Sequence, residues 1–265
     1  MNRRTFLALT AAWPALGAAS SRRVRVETAF RSPCEKPNGL EATEEGLWIL
    51  NQGSDNALYL VDYNGKLIEK LSTDSKAGSG VGFDGKHLWI ASTYDCKILK
   101  LDRKTGKTLA SHPTPGAGPV NWPNPRQSPL AKPSAPAVRP AAAKPPAAAR
   151  PSTGAHGVEF KDGKLWIAVP PSQTIYRIDP DTFRIEHQFR TAGDRPHGLG
   201  WEGEHLWCAD SNANAFHRYD VRNGEVMEII QLSDSDPLPH GVDIRNGVVW
   251  YCDDVGVVCR FPLRG

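Results

Sequence analysis

The stretch Arg195–Ile230, RPHGLGWEGEHLWCADSNANAFHRYDVRNGEVMEII, reads as four short strands. Gly198–Trp201 is short and partly apolar. His205–Ala209 is apolar around Trp207, Ala215–Tyr219 alternates and ends at Asp220, and Val226–Gln231 alternates again. Gly, Asn and Asp fill the gaps, because tight hairpins need residues that tolerate positive φ or cap their own backbone.

The pattern recurs. Aligned on Trp207, the chain gives KPNGLEATEEGLWILNQGSDNALYLVDYNGKLIEKL around Trp48 and GSGVGFDGKHLWIASTYDCKILKLDRKTGKTLASH around Trp89. It gives AHGVEFKDGKLWIAVPPSQTIYRIDPDTFRIEHQF around Trp166 and PHGVDIRNGVVWYCDDVGVVCRF around Trp250. The tryptophan spacings are 41, 77, 41 and 43 residues. Four strands per period of about 40 residues is the mark of a β-propeller blade, which cannot bury both faces alone and must stack into a ring. The sequence therefore predicts an all-β, five-bladed β-propeller, with an insertion in the long interval. Five of the eight tryptophans occupy one structural position and are read as packing between blades.

Two details support the ring. Asp62, Asp102, Asp179 and Asp220 recur at the end of the third strand, where an Asx-type turn leads into the fourth. The fifth repeat has no such Asp, because the sequence ends at Gly265 before a fourth strand. VETAFRSPCEKPNGL (Val26–Leu40) aligns without gaps on IEHQFRTAGDRPHGL (Ile185–Leu199). Val24–Phe30 is thus expected to supply the outer strand of the last blade, closing the ring with the N-terminal strand.

Residues 113–153 are different material. Twelve of these 41 residues are proline and ten alanine, with five basic residues and no acid. The length matches a blade, but there is no alternation and no Leu-Trp-Ile core, so this Pro/Ala-rich segment is read as a disordered insert. Trp122 is its one bulky anchor. The insert should emerge on the face where blades connect, as a lid or a tether.

The first 19 residues, MNRRTFLALTAAWPALGAA, carry Arg3-Arg4-Thr5-Phe6-Leu7, a short apolar run broken by Pro14, and small residues around Gly17–Ala19. This resembles a twin-arginine (Tat) signal with cleavage near Ala18 or Ala19, and predicts a periplasmic or secreted protein. Residues 24–265 are then one propeller domain, interrupted by the insert. No segment of the mature chain is long and apolar enough to span a membrane. Setting aside Arg3, Arg4 and the insert's five basic residues turns the formal charge of +3 into −4 for the body. A mildly acidic body argues against a nucleic-acid partner. The five cysteines follow no CxxC pattern; Cys208 and Cys252 fall in apolar strands and read as buried thiols.

Candidate chemistry lies where each innermost strand opens. The residue before the opening glycine is Asn38, Ser79, His156, His197 and His240 in blades one to five. Equivalent positions on a ring converge on its axis. Three imidazoles on consecutive blades make His156, His197 and His240 candidate ligands for a divalent metal such as Zn²⁺, in a site that keeps an open position. Asn38 can add an oxygen. Three residues past each tryptophan, on the same face, stand Asn51, Ser92, Val169, Asp210 and Asp253. Their polar members orient the histidines or exchange protons. Asp210, Asp253 and Tyr94 are the candidate acid/base groups. Asn38, Asn51, Arg195 and Asn212 are the candidate ligand-binding groups, Arg195 as an anion clamp. The plainer alternative is that a histidine before glycine is a feature of the repeat, serving its hydrogen bonds.

The repeat P-[HN]-G-[LV]…G-x-LW-[IC]-A…[IL]-x-x-[LI]-D resembles blades of the NHL and virginiamycin B lyase-like propeller group, over nearly all of the mature chain. Within that set, peptidyl-hydroxyglycine amidating lyases bind catalytic zinc through histidines in PH-[GSD] segments, and His156, His197 and His240 match that position. Those enzymes have six blades with metal histidines on alternate blades; here five blades carry them consecutively. PNGL at Asn38 is similar to the Asn segment of gluconolactonase-like propellers. Five-bladed glutaminyl cyclases of the plant and bacterial kind share the blade count, with different polar residues at these positions. The resemblance implies an exported propeller with a small-molecule or peptide site at the channel mouth and metal-assisted lyase or hydrolase chemistry. The alternative is a non-catalytic scaffold that binds a ligand or a protein partner.

Overall fold

The computed structural model describes residues 19–120, 122, 125–131 and 151–264. The expected leader, up to residue 18, and most of the Pro/Ala-rich insert lie outside them. Five four-stranded antiparallel sheets are arranged as a β-propeller, and no α-helix occurs among the described residues. Blade 1 comprises Pro37–Ala42, Leu47–Asn51, Ala57–Val61 and Leu67–Ser72. Blade 2 comprises Val81–Phe83, His87–Ser92, Lys97–Asp102 and Thr108–Pro113. Blade 3 comprises Gly157–Lys161, Lys164–Val169, Thr174–Ile178 and Ile185–Arg190. Blade 4 comprises Pro196–Glu202, His205–Asp210, Ala215–Asp220 and Glu225–Gln231. Blade 5 comprises Val242–Arg245, Val248–Asp253 and Val257–Pro262.

The N-terminal strand Glu27–Arg31 completes blade 5, antiparallel to Val257–Pro262. It starts later than the expected Val24, because Val24 and Val26 pack against the core between blades 4 and 5 instead. A second N-terminal strand, Ser20–Arg23, adds in parallel to the outer edge of blade 4. Nothing in the polar run SSRR signalled it. Arg22 fastens it through a 2.7 Å bond to Glu228 and a bond to the Leu263 carbonyl.

The repeat dictates the packing. In the second strand of each blade, side chains alternate between two faces. Trp48 and Leu50 join the core shared with blade 2, whereas Leu47 and Ile49 join the core shared with blade 5. The same division gives five inter-blade cores. Each repeat tryptophan is also capped by a cation: Arg103 on Trp48, Lys100 on Trp89, Arg177 on Trp166, Arg264 on Trp207 and Arg260 on Trp250, at 4.4–6.0 Å. The turn aspartates do what the spacing predicts. Asp62, Asp102, Asp179 and Asp220 each accept backbone N–H groups from the following turn.

A ring of glycines shuts the axis. Gly39, Gly80, Gly157, Gly198 and Gly241 each press on the backbone of the next blade. A Cβ at these positions would lie 2.8 Å from Ser79 O, 2.7 Å from Val158 N, 2.1 Å from His197 O, 2.3 Å from Val242 N and 2.4 Å from Leu40 N, respectively. The residues around this ring leave no space for a water molecule. Five blades bring the inner strands this close only because none of the five carries a side chain there. The axis is thereby divided into a mouth on the histidine side and a waist below.

Candidate functional site

His156, His197 and His240 stand in a row at the mouth. Neighbouring rings meet edge to face, with centroids 4.6 Å apart for His156–His197 and 4.8 Å for His197–His240. All three side chains are buried. In blades 1 and 4 the register of the innermost strand shifts at this point, between Pro37 and Gly39 and between Pro196 and Leu199. Such a bulge re-aims side chains at the strand end.

The hydrogen bonds assign the tautomers. His197 Nδ1 lies 3.1 Å from the Arg195 carbonyl, which only accepts, so Nδ1 carries the proton and Nε2 a lone pair. His156 Nδ1 lies 3.0 Å from that Nε2 and therefore donates to it. His156 Nε2 is left with a lone pair and no partner. Ser211 steadies His197, with its hydroxyl 3.2 Å from Nδ1 and donating to the Pro239 carbonyl at 2.6 Å. Burial holds all three imidazoles neutral: it lowers His156 to about 3 and His240 to about 4, and it pushes His197 well below its ordinary value.

His240 differs from the other two. Neither of its nitrogens has a hydrogen-bond partner. Asp253 Oδ1, at 4.0 Å from Nδ1, is also buried and unpartnered. The other oxygen, Asp253 Oδ2, accepts from Ser128 Oγ at 2.6 Å and Leu238 N at 2.7 Å. Burial raises the Asp253 carboxyl to about 7, against those two donors, and neighbouring Asp254 adds to the rise. Asn38 Oδ1 is orphaned in the same way. Buried polar groups are ordinarily hydrogen-bonded, and five atoms without a partner gather at this mouth: Asn38 Oδ1, His156 Nε2, both nitrogens of His240 and Asp253 Oδ1.

The position three past each tryptophan has a job in the repeat. Asn51 accepts from Lys36 N at 3.0 Å, Ser92 from Lys76 N at 2.8 Å, Asp210 from Arg195 N at 3.0 Å and Asp253 from Leu238 N. Each thus latches the segment leading into its own innermost strand. Asp210 spends its other oxygen on Ala213 N at 2.8 Å, and Asn51 its amide on Asp55 at 2.6 Å. Both therefore act on backbone and turn. Only Asp253 keeps an oxygen for the mouth.

The insert returns over this face. Trp122 Nε1 donates to the Asp194 carbonyl at 3.1 Å, and the Trp122 ring meets His156 edge-on at 6.0 Å. Arg195 stacks on Trp122 at 5.0 Å and donates to the Arg126 carbonyl at 3.3 Å. Arg126 N in turn donates to Asn212 Oδ1 at 3.2 Å. Arg195 and Asn212 therefore hold the chain's own segment. Tyr94 is half exposed on the short turn Thr93–Asp95. At the base of the insert, Gly118–Pro119 pairs with Ser152–Thr153.

Among the described residues, two groups bring three ligand-type side chains within 4.8 Å of one another. One is His240, Asp253 and Asp254; the other is Glu41, Glu159 and Asp243. The mouth group joins one predicted histidine to the Asp253-Asp254 pair. His156 and His197 are instead engaged with each other. Sequence reasoning missed Ser128, which lies in the insert and reaches Asp253 of blade 5.

No family model matches the chain, and no curated protein matches it. Solved structures do. Glutaminyl cyclase from Myxococcus xanthus superposes with a TM-score of 0.65 at 10% identity, over 92% of this chain and 97% of the other. Virginiamycin B lyase from Staphylococcus aureus gives 0.49 at 18% identity, over 86% of this chain and 66% of the other. At 10% identity the likeness to the glutaminyl cyclase shows the fold alone.

Proposed function

We propose that the histidine mouth is the working site of an exported, divalent-metal-dependent lyase or hydrolase acting on a small molecule or peptide. The observation that carries this reading is the cluster of buried atoms without partners: Asn38 Oδ1, His156 Nε2, both nitrogens of His240 and Asp253 Oδ1. Neutral imidazole and carboxylate are the donor set that zinc-class ions take. His240, Asp253 and Asp254 would hold the ion, and His156 Nε2, a buried lone pair without a partner, would hold a water on the ion's open position. Such an ion polarises a substrate oxygen or lowers the pKa of a water. Asp253 would reach the ion through Oδ1, the one oxygen that Ser128 and Leu238 leave free. Arg195 attracts an anionic group, and Tyr94 borders the approach. His197 keeps His156 in one tautomer. The expected twin-arginine leader fits a protein exported after folding around its metal.

A second reading rests on the returning segment. The Ser128 hydroxyl on Asp253 and the Arg126 backbone on Arg195 and Asn212 are the contacts an extended peptide would make. They favour a peptide-binding scaffold whose mouth is covered in cis.

Elemental analysis of protein purified without chelator separates the two. The enzyme reading expects about one zinc-class ion per chain, lost in His240→Ala and kept in His156→Ala. Metal-free protein with unchanged peptide binding in both variants would leave the scaffold.

A further inference from the structure

The second group of ligand-type residues lies below the glycine ring. Three residues after each opening polar residue, the innermost strands carry Glu41, Gly82, Glu159, Gly200 and Asp243. Carboxylate and glycine alternate from blade 1 to blade 5, so that Asp243 and Glu41 are neighbours where the ring closes. Glycine at Gly82 and Gly200 lets the neighbouring carboxylate strand come close, since a Cβ there would lie 3.1 Å from the Cα atoms of Glu159 and Asp243. Glu41, Glu159 and Asp243 come from blades 1, 3 and 5, yet offer oxygens within 4.8 Å of one another. Blade 3 adjoins neither of the other two in the ring, so the three meet on the axis.

All three side chains are buried, with 7%, 4% and 7% of their surface exposed. Backbone donors orient two of them. Glu159 Oε1 accepts from Phe160 N at 2.6 Å, and Asp243 accepts from Ile244 N at 2.6 Å and Ala42 N at 2.8 Å. Glu41 Oε2 has no partner at all. Arg245, which acts on this group from outside, is paired with Glu44 at 3.6 Å. Burying three ionised carboxylates side by side is costly unless they take up protons or a counter-charge joins them.

We propose that Glu41, Glu159 and Asp243 form a buried binding site for one divalent cation of the calcium class, on the axis below the glycine ring. An all-oxygen donor set selects a hard cation. Three carboxylates held by three different blades suit Ca²⁺, which accepts irregular oxygen cages, better than Mg²⁺, which demands a near-ideal octahedron and keeps several waters. Of the three carboxylates, Glu41 also borders a cavity of about 390 Å³ lined by Glu44, Glu45, Trp48, Arg103 and Arg245. The site ties blades 1, 3 and 5 together. It does not depend on metal at the mouth.

The test is calcium titration of the chelator-stripped mature chain, by calorimetry and thermal unfolding. The expected result is one Ca²⁺ per chain, with Mg²⁺ at least tenfold weaker. The melting temperature should rise by about 5 °C at a hundredfold excess over Kd. Glu41→Gln and Glu159→Gln should weaken Ca²⁺ binding about a hundredfold, while His156→Ala and His240→Ala leave it unchanged. Calcium binding that survives both Gln variants, or is lost with His240, would overturn the assignment, as would no response to millimolar Ca²⁺. The Gln variants remove charge without volume, so in stripped protein at pH 8 they should melt above the wild type. Melting below it would also count against the site. Loss of zinc-class metal in His240→Ala with calcium intact separates this site from the mouth.

Discussion

The two ends of the axis are built from the same five strands and differ in chemistry. At the mouth, Asn38, His156 and His240 present neutral donors; three residues on, at the waist, Glu41, Glu159 and Asp243 present acids. Blades 1, 3 and 5 supply both layers. Blades 2 and 4 supply glycine at the waist, and Ser79 and His197 at the mouth, both already bonded within the protein. A repeat fixes where side chains converge. What converges there is left to the residues that break the repeat.

The glycine ring that separates the two ends is the most sensitive place to break this arrangement. Gly157→Ala sets a Cβ 2.1 Å from the His197 carbonyl, a backbone atom that cannot swing away. It should cost about 3 kcal/mol or more and disturb both ends at once. Gly163→Ala, at a hairpin with φ of 73° and open space around it, should cost about 1 kcal/mol. Equal losses in urea unfolding of the two variants would refute the ring.

The next largest effect is on pH dependence, where the mouth histidines and the waist carboxyls act in opposite directions, and Asp253, raised to about 7, adds to the alkaline side. The folded-state values of His156 and His240 lie near 3 and 4, below the ordinary 6.5. Their contribution to stability is full above about pH 6.5 and is lost as pH falls toward 3. Asp243 is raised to about 6 from an ordinary 3.8. Its contribution is full below about pH 4 and is lost as pH rises through 6. In chelator-stripped protein, melting temperature against pH should therefore be eroded from both sides. His156→Gln should flatten the acid side and Glu41→Gln the alkaline side. A change on the same side in both variants would contradict the division.

The fold was legible because its causes are local and repeated. Trp207 and its four counterparts, the turn aspartates and the opening glycines each impose one geometry wherever they recur. The chain-closing strand was legible from its likeness to Ile185–Leu199. The polar strand Ser20–Arg23 was not, because an edge pairing needs only backbone. At the mouth, the sequence located the histidines but not their division of labour. His156 and His197 bond each other and His240 stands alone, a difference made by ring orientation. Asp210 and Asp253 share a column, yet only Asp253 keeps a free oxygen, because Ser128 and Leu238 both engage the other one. The waist had a signal in the alternation Glu41, Gly82, Glu159, Gly200, Asp243, which emerges once the innermost strands are aligned as rows facing one axis.

The central claim is that one axis carries two metal sites of different chemistry with a glycine ring between them. Anomalous diffraction from a crystal equilibrated with both Zn²⁺ and Ca²⁺ tests it directly. A zinc-edge peak is expected beside His240 and Asp253, and a calcium peak among Glu41, Glu159 and Asp243. Zinc at the waist, both ions at one end, or no peak at either would contradict it.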